Sequence, residues 1–224
     1  MERDVKLHVW GNYACFTRPE FKAERVSYDV ITPSAARGIL ESVYWKPAIR
    51  WNVDKIHVLR PIRFTSIRRN EVKSKVPAGN VRKAMASGDL RGLWLVSDSI
   101  SERTQRSSMV LRDVSYVIEA HFDLLDHSDG NFKKHYEMFT QRASKGKCYH
   151  RPCLGTREFD ADFTLIKDDM PPSELPPEHR NQDLGWMLHD MVYSKTIEPR
   201  FYRAKIDNDG VIHVPPVGSI EVRA

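Results

Sequence analysis

The clearest strand signal in this chain is Val110-Leu-Arg-Asp-Val-Ser-Tyr-Val-Ile-Glu-Ala-His-Phe-Asp-Leu-Leu125. Apolar side chains take every second position at its centre, namely Val114, Tyr116, Ile118, Ala120 and Phe122. That period predicts a β-strand with one buried face. The turn signal Asp126-His-Ser-Asp-Gly130 ends the strand, and a helix is predicted to begin near Lys134 and to stop before Gly146.

The elements predicted before and after this strand and helix complete a mixed α/β pattern. Strands are predicted over residues 5–16, 49–64 and 158–166, and a helix over 34–44, with Thr32 as its cap and Pro33 at its first position. Strand, helix, strand, followed by strand, helix, strand, is the order of a ferredoxin-like α+β fold with its helices on one face of the sheet. Tyr44 then lies in the last turn of the first helix, and His135 in the first turn of the second.

Three further segments extend this predicted fold. Residues 68–90 are basic and contain Pro77 and Gly88, which indicates a long basic β-hairpin or loop inserted in the sheet. The tract 170–177 is rich in proline and indicates a linker, and Asp207-Asn-Asp-Gly210 is a hairpin signal. We therefore predict a first domain over residues 1–168, a linker over 169–180 and a small C-terminal antiparallel β domain over 181–224.

Composition indicates an ordered, basic protein. The chain has 224 residues, of which 41% are hydrophobic, and a formal net charge of +5. No stretch approaches the roughly 20 apolar residues that span a bilayer, and the start lacks the apolar core of a signal peptide. Three cysteines are an odd number, which argues against a disulfide framework. These features predict a cytoplasmic protein without a membrane partner.

The charge is unevenly distributed along the chain. Residues 50–112 contain fourteen Lys and Arg against five acids, whereas residues 158–190 contain nine acids against two basic residues. The basic stretch also holds Trp51, Phe64 and Trp94, a mixture that can grip a sugar-phosphate chain and stack unpaired bases. The same pattern fits a solvated hairpin face with its aromatics in the core, and both interpretations stay open. The acidic tract over residues 158–190 is compatible with a surface that binds a partner and with a surface that only faces solvent, and both interpretations stay open.

The dipeptide Lys134-His135 carries the clearest chemical signal. It places a cation that can neutralise phosphate beside the side chain whose unperturbed pKa lies near neutrality. This combination suits RNA cleavage without a metal ion, and no cofactor is expected. A zinc site between Cys148 and Cys153 lacks a second ligand pair, and short acidic pairs such as Asp207 with Asp209 are common in loops. There is no P-loop pattern and no G-x-S-x-G motif.

Several long motifs in one order resemble those of a CRISPR-associated RAMP protein. They include residues 27–47, which contain Thr32-Pro-Ser-Ala-Ala-Arg-Gly38 and Tyr44-Trp-Lys-Pro47, then Ile67-Arg-Arg-Asn-Glu71, the run 103–114, Lys134-His135-Tyr136 and Cys153-Leu-Gly-Thr-Arg-Glu158. The resemblance is to the fifth Cas family, subtype d, also called the Dvulg type, from type I-C systems. It covers the chain from about residue 4 to beyond residue 200.

This resemblance implies an RNA-recognition-like ferredoxin domain, a small β domain and a catalytic set at Tyr44, Lys134 and His135. The implied activity is metal-independent cleavage of precursor CRISPR RNA within its repeats, by attack of a 2′-hydroxyl to give a 2′,3′-cyclic phosphate. The enzyme would then retain the 5′ handle as a subunit of a type I-C surveillance complex for antiviral defence. Whether Tyr44 or His135 is the general base stays open. The alternative is a non-catalytic RNA-binding subunit that caps the 5′ end of the CRISPR RNA.

The implied partners are CRISPR repeat RNA, as a hairpin with flanking single strand, and the other subunits of the complex. Nonspecific binding to DNA is also expected from so basic a surface. Candidate RNA-binding residues are Arg60, Arg63, Arg68, Arg69, Arg103, Arg106, Lys145, Lys147 and Arg157.

Overall fold

The computed structural model describes residues 4–21, 23–125, 131–193 and 196–224. Its strands are β1 (Val5–Ala14), β2 (Ile49–Val58), β3 (Phe64–Val72), β4 (Arg103–Leu124), β5 (Asp162–Leu165), β6 (Gln182–Tyr193), β7 (Ile197–Ile206) and β8 (Val211–His213). Its α-helices are α1 (Pro33–Val43), α2 (Ala78–Ser87) and α3 (Phe132–Ser144). The turn predicted over residues 126–130 lies outside the described residues.

One antiparallel sheet of eight strands organises the described parts of the chain. Its order is β5-β1-β4-β2-β8-β7-β6, and β3 pairs with β4 away from this path. The long strand β4 pairs with β1 and β2 along its C-terminal half and with β3 along its N-terminal half. The predicted mixed α/β class is therefore confirmed, and the stretch 110–125 forms the centre of the sheet.

Side-chain alternation in β4 separates the two faces of this sheet. Phe122 points toward α3, where its ring stacks on Phe132 with centroids 4.7 Å apart. Because neighbouring strand residues point to opposite faces, Glu119 and His121 lie on the other side. Glu119 accepts a hydrogen bond from His57 there at 2.9 Å. The apolar layer that holds α1 and α3 therefore covers one face, and polar side chains such as Glu119 and His57 lie on the opposite face.

Helix α1 has the capping residue, the proline and the apolar face that the sequence predicted. The Thr32 hydroxyl accepts from the Ala35 N–H at 3.2 Å, and Pro33 occupies the first turn. The predicted apolar face is buried, including Ile39 and Leu40. The helix ends at Val43, so Tyr44 is its C-terminal cap in extended conformation and not a member of the last turn. This difference turns the Tyr44 side chain away from the helical spiral.

The segment expected to be a hairpin or loop over residues 68–90 contains a helix instead. Strand β3 continues to Val72, and α2 then runs over Ala78–Ser87. Pro77 caps the start of α2, and Gly88 closes its end with φ of 70° and an N–H bond to the Ala84 carbonyl at 2.8 Å. The two residues that were interpreted as loop signals are thus helix boundaries.

The C-terminal strands continue the main sheet, because β8 pairs with β2. The preceding tract, predicted to be a linker, is packed against the sheet: Leu175 is 1% exposed, and Ser173 Oγ donates to the Val58 carbonyl at 3.0 Å. The hairpin predicted at Asp207–Gly210 is confirmed, since it joins β7 to β8. Strand β5 is shorter than the predicted 158–166. No helix in the described ranges is long and apolar enough to cross a membrane.

Candidate active site

The structure brings Tyr44 and His135 together although 91 positions separate them in the chain. The phenol oxygen of Tyr44 and Nδ1 of His135 are hydrogen bonded at 2.8 Å. Tyr44 ends α1, and His135 lies at the start of α3. The two helices pack on the same face of the sheet, so their ends meet above Trp51 and Phe122.

Both members of this pair are buried. Tyr44 is 1% exposed and His135 is 0% exposed. The His135 ring meets the Phe122 ring edge-on, with centroids 6.3 Å apart, and Phe132 stacks on Phe122 beside it. The sequence placed Tyr44 near the end of one helix and His135 near the start of another, but it did not predict that aromatic rings enclose them. In this arrangement the imidazole of His135 is closed to a substrate.

Lys134 lies next to this pair but on the exposed side of α3. The Asn131 carboxamide oxygen accepts from the Lys134 N–H at 3.1 Å, which caps the helix and fixes its first turn. An open groove follows the outer face of α3, and Lys133, Lys134 and Lys167 line it. Positive charge at a helix N-terminus attracts phosphate. The capping role of Asn131 was not predicted from the sequence.

Metal-binding alternatives find little support. The cysteines are free thiols, and burial, with the nearby Asp160 carboxylate, raises the pKa of the Cys153 thiol. A raised pKa disfavours the thiolate that zinc binds. Within the described ranges, one group of metal-binding residue types converges: Asp4, Asp54 and His121. His121 Nδ1 and Asp54 Oδ2 already lie 2.7 Å apart as an ion pair.

The nine candidate RNA-binding residues divide by their contacts. Exposed positions are Arg63, Arg68, Arg103, Lys145, Lys147 and Arg157. The other three are engaged within the protein: Arg60 pairs with Asp113, Arg69 with Glu158 and Arg106 with Glu71. The exposed set is therefore the better group for phosphate contact.

The aromatic residues of the basic stretch also divide. Trp51 is 1% exposed and belongs to the core, as the alternative interpretation of this stretch expected. Trp94 is 75% exposed and Phe64 is 39% exposed, so these two can meet a base. The acidic tract is partly used by internal ion pairs, since Asp190 pairs with Arg37 and Asp183 with Arg203.

Comparison with known proteins identifies the family of this chain. Residues 4–218 match the Cas5d family model, described as CRISPR-associated protein (Cas_Cas5). A protein of Mannheimia succiniciproducens named CRISPR pre-crRNA endoribonuclease Cas5d is 52% identical over 227 positions, which cover 100% of both chains. A protein of the same name from Thermus thermophilus is 44% identical over 84% of this chain and 73% of its own length.

Among solved structures, one described as a crystal structure of a CRISPR-associated protein has a TM-score of 0.68 at 23% identity. It covers 100% of this chain and 97% of that chain, and at this identity it supports the fold alone. The family model and the full-length relative confirm the resemblance drawn from the motifs. This chain belongs to the Cas5d family of CRISPR-associated proteins.

Proposed function

We propose that this chain is an endoribonuclease that cuts precursor CRISPR RNA within its repeats. The observation that carries the proposal is the 2.8 Å bond between Tyr44 and His135, one residue from the exposed Lys134. The relative named CRISPR pre-crRNA endoribonuclease, 52% identical over the whole chain, supports the same activity. Together these three side chains can transfer protons and stabilise negative charge on a phosphate.

The proposed reaction is an internal transesterification. The ribose 2′-oxygen loses its proton and forms a bond to the adjacent phosphorus, while the bond from phosphorus to the 5′-oxygen breaks and that oxygen gains a proton. The products are a 2′,3′-cyclic phosphate and a 5′-hydroxyl. His135 transfers a proton, Lys134 stabilises the extra negative charge of the phosphorane, and Tyr44 orients or deprotonates the nucleophile. These roles need no metal ion.

Burial of the imidazole adds a step to this scheme. Because His135 is 0% exposed, we propose that RNA displaces the first turn of α3 before the scissile phosphate reaches the ring. The exposed lysines of the α3 groove, Lys133 and Lys134, are the groups that RNA meets first. Binding of phosphate there would supply part of the free energy that opens the site.

We also propose that the N-terminal part of the chain is a ferredoxin-like domain. The neighbours β5-β1-β4-β2 are antiparallel, and α1 and α3 connect them in the order expected of a ferredoxin-like domain. We propose this domain for residues 1–168, with the β3–β4 hairpin as its basic insertion. Residues 169–180 then connect it to a C-terminal β unit over residues 181–224, whose strands β6, β7 and β8 extend the sheet.

A second candidate function is favoured by the enclosed imidazole. In this alternative the chain caps the 5′ end of a CRISPR RNA as a structural subunit, and the Tyr44–His135 bond only joins α1 to α3. Under either function, repeat RNA and other surveillance-complex subunits in the cytoplasm are the proposed partners. The exposed basic residues would also give weak DNA binding.

Incubation of the purified chain with its cognate repeat RNA in EDTA tests the proposed activity. We expect cleavage, and end-group analysis that finds a 2′,3′-cyclic phosphate. A matched RNA with a 2′-deoxy nucleotide at the cut position should bind with unchanged affinity and remain intact. Binding without cleavage of the unmodified RNA would instead assign the structural role, and cleavage of the deoxy RNA would rule out the 2′-oxygen as nucleophile.

A further inference from the structure

The carbonyl groups at the C-terminal end of α1 accept hydrogen bonds from other segments of the chain. Helix C-termini leave their final carbonyls without donors from the helix itself. Here the Ser42 carbonyl accepts from the Tyr149 N–H at 2.8 Å, and the Tyr44 carbonyl accepts from Trp51 Nε1 at 2.9 Å. Between them, the Val43 carbonyl accepts from Nε of Arg142 at 2.6 Å. Three consecutive carbonyls are thus held by three other segments of the chain.

Arg142 differs from the other two donors because it lies on α3, the helix that carries His135. His135 and Arg142 are seven positions apart, which corresponds to about two helical turns, so both side chains leave α3 on a similar face. The Arg142 guanidinium also lies 4.2 Å from the centre of the Tyr149 ring. Its position is therefore fixed from two sides, and it links the C-terminal end of α1 directly to α3.

We infer that Arg142 is a positioning residue for the Tyr44–His135 pair. Tyr44 is the residue after Val43, and it has already left the helical conformation. A shift of the Val43 carbonyl therefore moves the Tyr44 backbone, and the phenol with it. The cation also interacts favourably with the negative end of the α1 dipole. This inference rests on the proposed function, since it concerns the geometry of the same catalytic pair.

A different role for Arg142 would be a direct phosphate contact. The two roles depend on different parts of the side chain. Positioning depends on the donor at Nε, whereas phosphate binding depends on the positive charge. The Nε atom is already directed at the Val43 carbonyl, and the ring of Tyr149 covers one side of the guanidinium, which favours positioning.

Two substitutions separate the donor from the charge. Arg142→Gln keeps an N–H donor the same number of bonds from the backbone as Nε and removes the charge. Arg142→Met keeps similar length and has neither donor nor charge. Single-turnover cleavage of repeat RNA is measured with both variants at saturating protein, with RNA affinity and its salt dependence measured alongside.

We expect Arg142→Met to lower the single-turnover rate roughly 10- to 100-fold, the range for a misplaced catalytic group. Affinity for RNA should stay within about twofold of the unaltered chain by the same reasoning, and Arg142→Gln should recover most of the rate. Equal losses in both variants, with weaker RNA binding and a smaller salt slope, would assign a phosphate contact and overturn the inference. Unchanged rates in both variants would overturn it as well.

A second measurement does not require cleavage. In ¹⁵N-labelled protein, the imidazole nitrogen resonances of His135 are assigned by their loss in His135→Asn. Arg142→Met should shift the Nδ1 resonance, because the bond to Tyr44 changes, and Arg142→Gln should leave it in place. An unshifted resonance in Arg142→Met overturns the inference even if the chain cuts no RNA. Conversely, normal cleavage by Tyr44→Phe and His135→Asn would contradict the proposed catalytic pair and leave the resonance test of Arg142 standing.

Discussion

Replacement of Tyr44 by phenylalanine separates a catalytic role of the buried pair from a purely structural one. The substitution removes one oxygen and leaves the ring that packs at the end of α1. It leaves Nδ1 of the fully buried His135 without the phenol at 2.8 Å. Loss of one partner from a buried hydrogen bond costs about 1–3 kcal/mol of unfolding free energy.

That cost has a measurable thermal consequence. For a chain of this size, each kcal/mol shifts Tm by about 2–4 °C, so Tyr44→Phe should melt about 2–12 °C lower. Both roles predict this loss, because both include the hydrogen bond. Only the catalytic role predicts that the single-turnover cleavage rate, measured well below either Tm, falls by roughly 10²–10⁴-fold.

Tyr202→Phe is a matched control. Tyr202 is 2% exposed in β7, and its hydroxyl contacts Met187 Sδ at 3.8 Å, away from the proposed site. Loss of the Tyr202 hydroxyl should change Tm modestly and leave the cleavage rate unaltered. If Tyr44→Phe cut repeat RNA as fast as Tyr202→Phe, the phenol would have no part in the chemistry and the proposed catalytic set would be wrong.

Three other outcomes are expected. Burial alone would raise the pKa of Glu119, but the hydrogen bond and charge of His57, with Lys6 and Lys55, outweigh burial and hold it below its ordinary value. This stabilisation exists above the pKa of the unfolded chain and is lost as pH falls through the lower pKa of the folded protein. Thermal melts of Glu119→Gln and the unaltered chain should therefore differ at pH 7 and converge as pH falls below the folded-state pKa of Glu119; a difference that stays constant with pH would contradict this. Gly155→Ala should destabilise by more than about 2 kcal/mol in urea unfolding, since φ is +90° and a Cβ would lie 2.0 Å from the Cys15 carbonyl oxygen; an unchanged midpoint would refute the strain. The double variant Arg68→Ala with Arg103→Ala should reduce the salt slope of RNA binding by about two, whereas Arg203→Ala should not, and an unaltered slope would remove the β3–β4 hairpin from the RNA surface.

The parts of the fold that sequence predicted are those where local and long-range preferences coincide. The apolar side chains at alternate positions of β4 from Val114 to Phe122 are all buried, and α1 has both a capping hydroxyl and a proline at its start. Helix α2 was missed because its apolar pattern is weak: only Ala84 is buried, so no core contact imposes a period on the sequence. Its boundaries were visible as Pro77 and Gly88, but the same residues also occur in loops.

The site was predicted in part for a similar reason. Residue types and motif order led to the prediction of Tyr44, Lys134 and His135, and the sequence placed them at the end of one helix and the start of another. Their burial depends on the tilt of α1 and α3 over the sheet and on the stacking of Phe132 on Phe122. Such packing is a property of the tertiary arrangement, and no spacing along the chain encodes it. The internal use of Arg60, Arg69 and Arg106 was hidden for the same reason.

The enclosed imidazole has a consequence for how the proposed enzyme would choose its substrate. A site that is open in a small fraction of molecules lowers apparent affinity by that fraction, and an opening free energy of about 3 kcal/mol leaves about 1% open. An RNA that contacts only the α3 groove gains too little to repay this, whereas a repeat that also engages the β3–β4 hairpin adds several phosphate contacts. Because Phe122 and Phe132 enclose the His135 imidazole, cleavage would then be restricted to RNA that binds the α3 groove and the β3–β4 hairpin at once. Burial of His135 is, on this argument, compatible with catalysis and a source of its specificity.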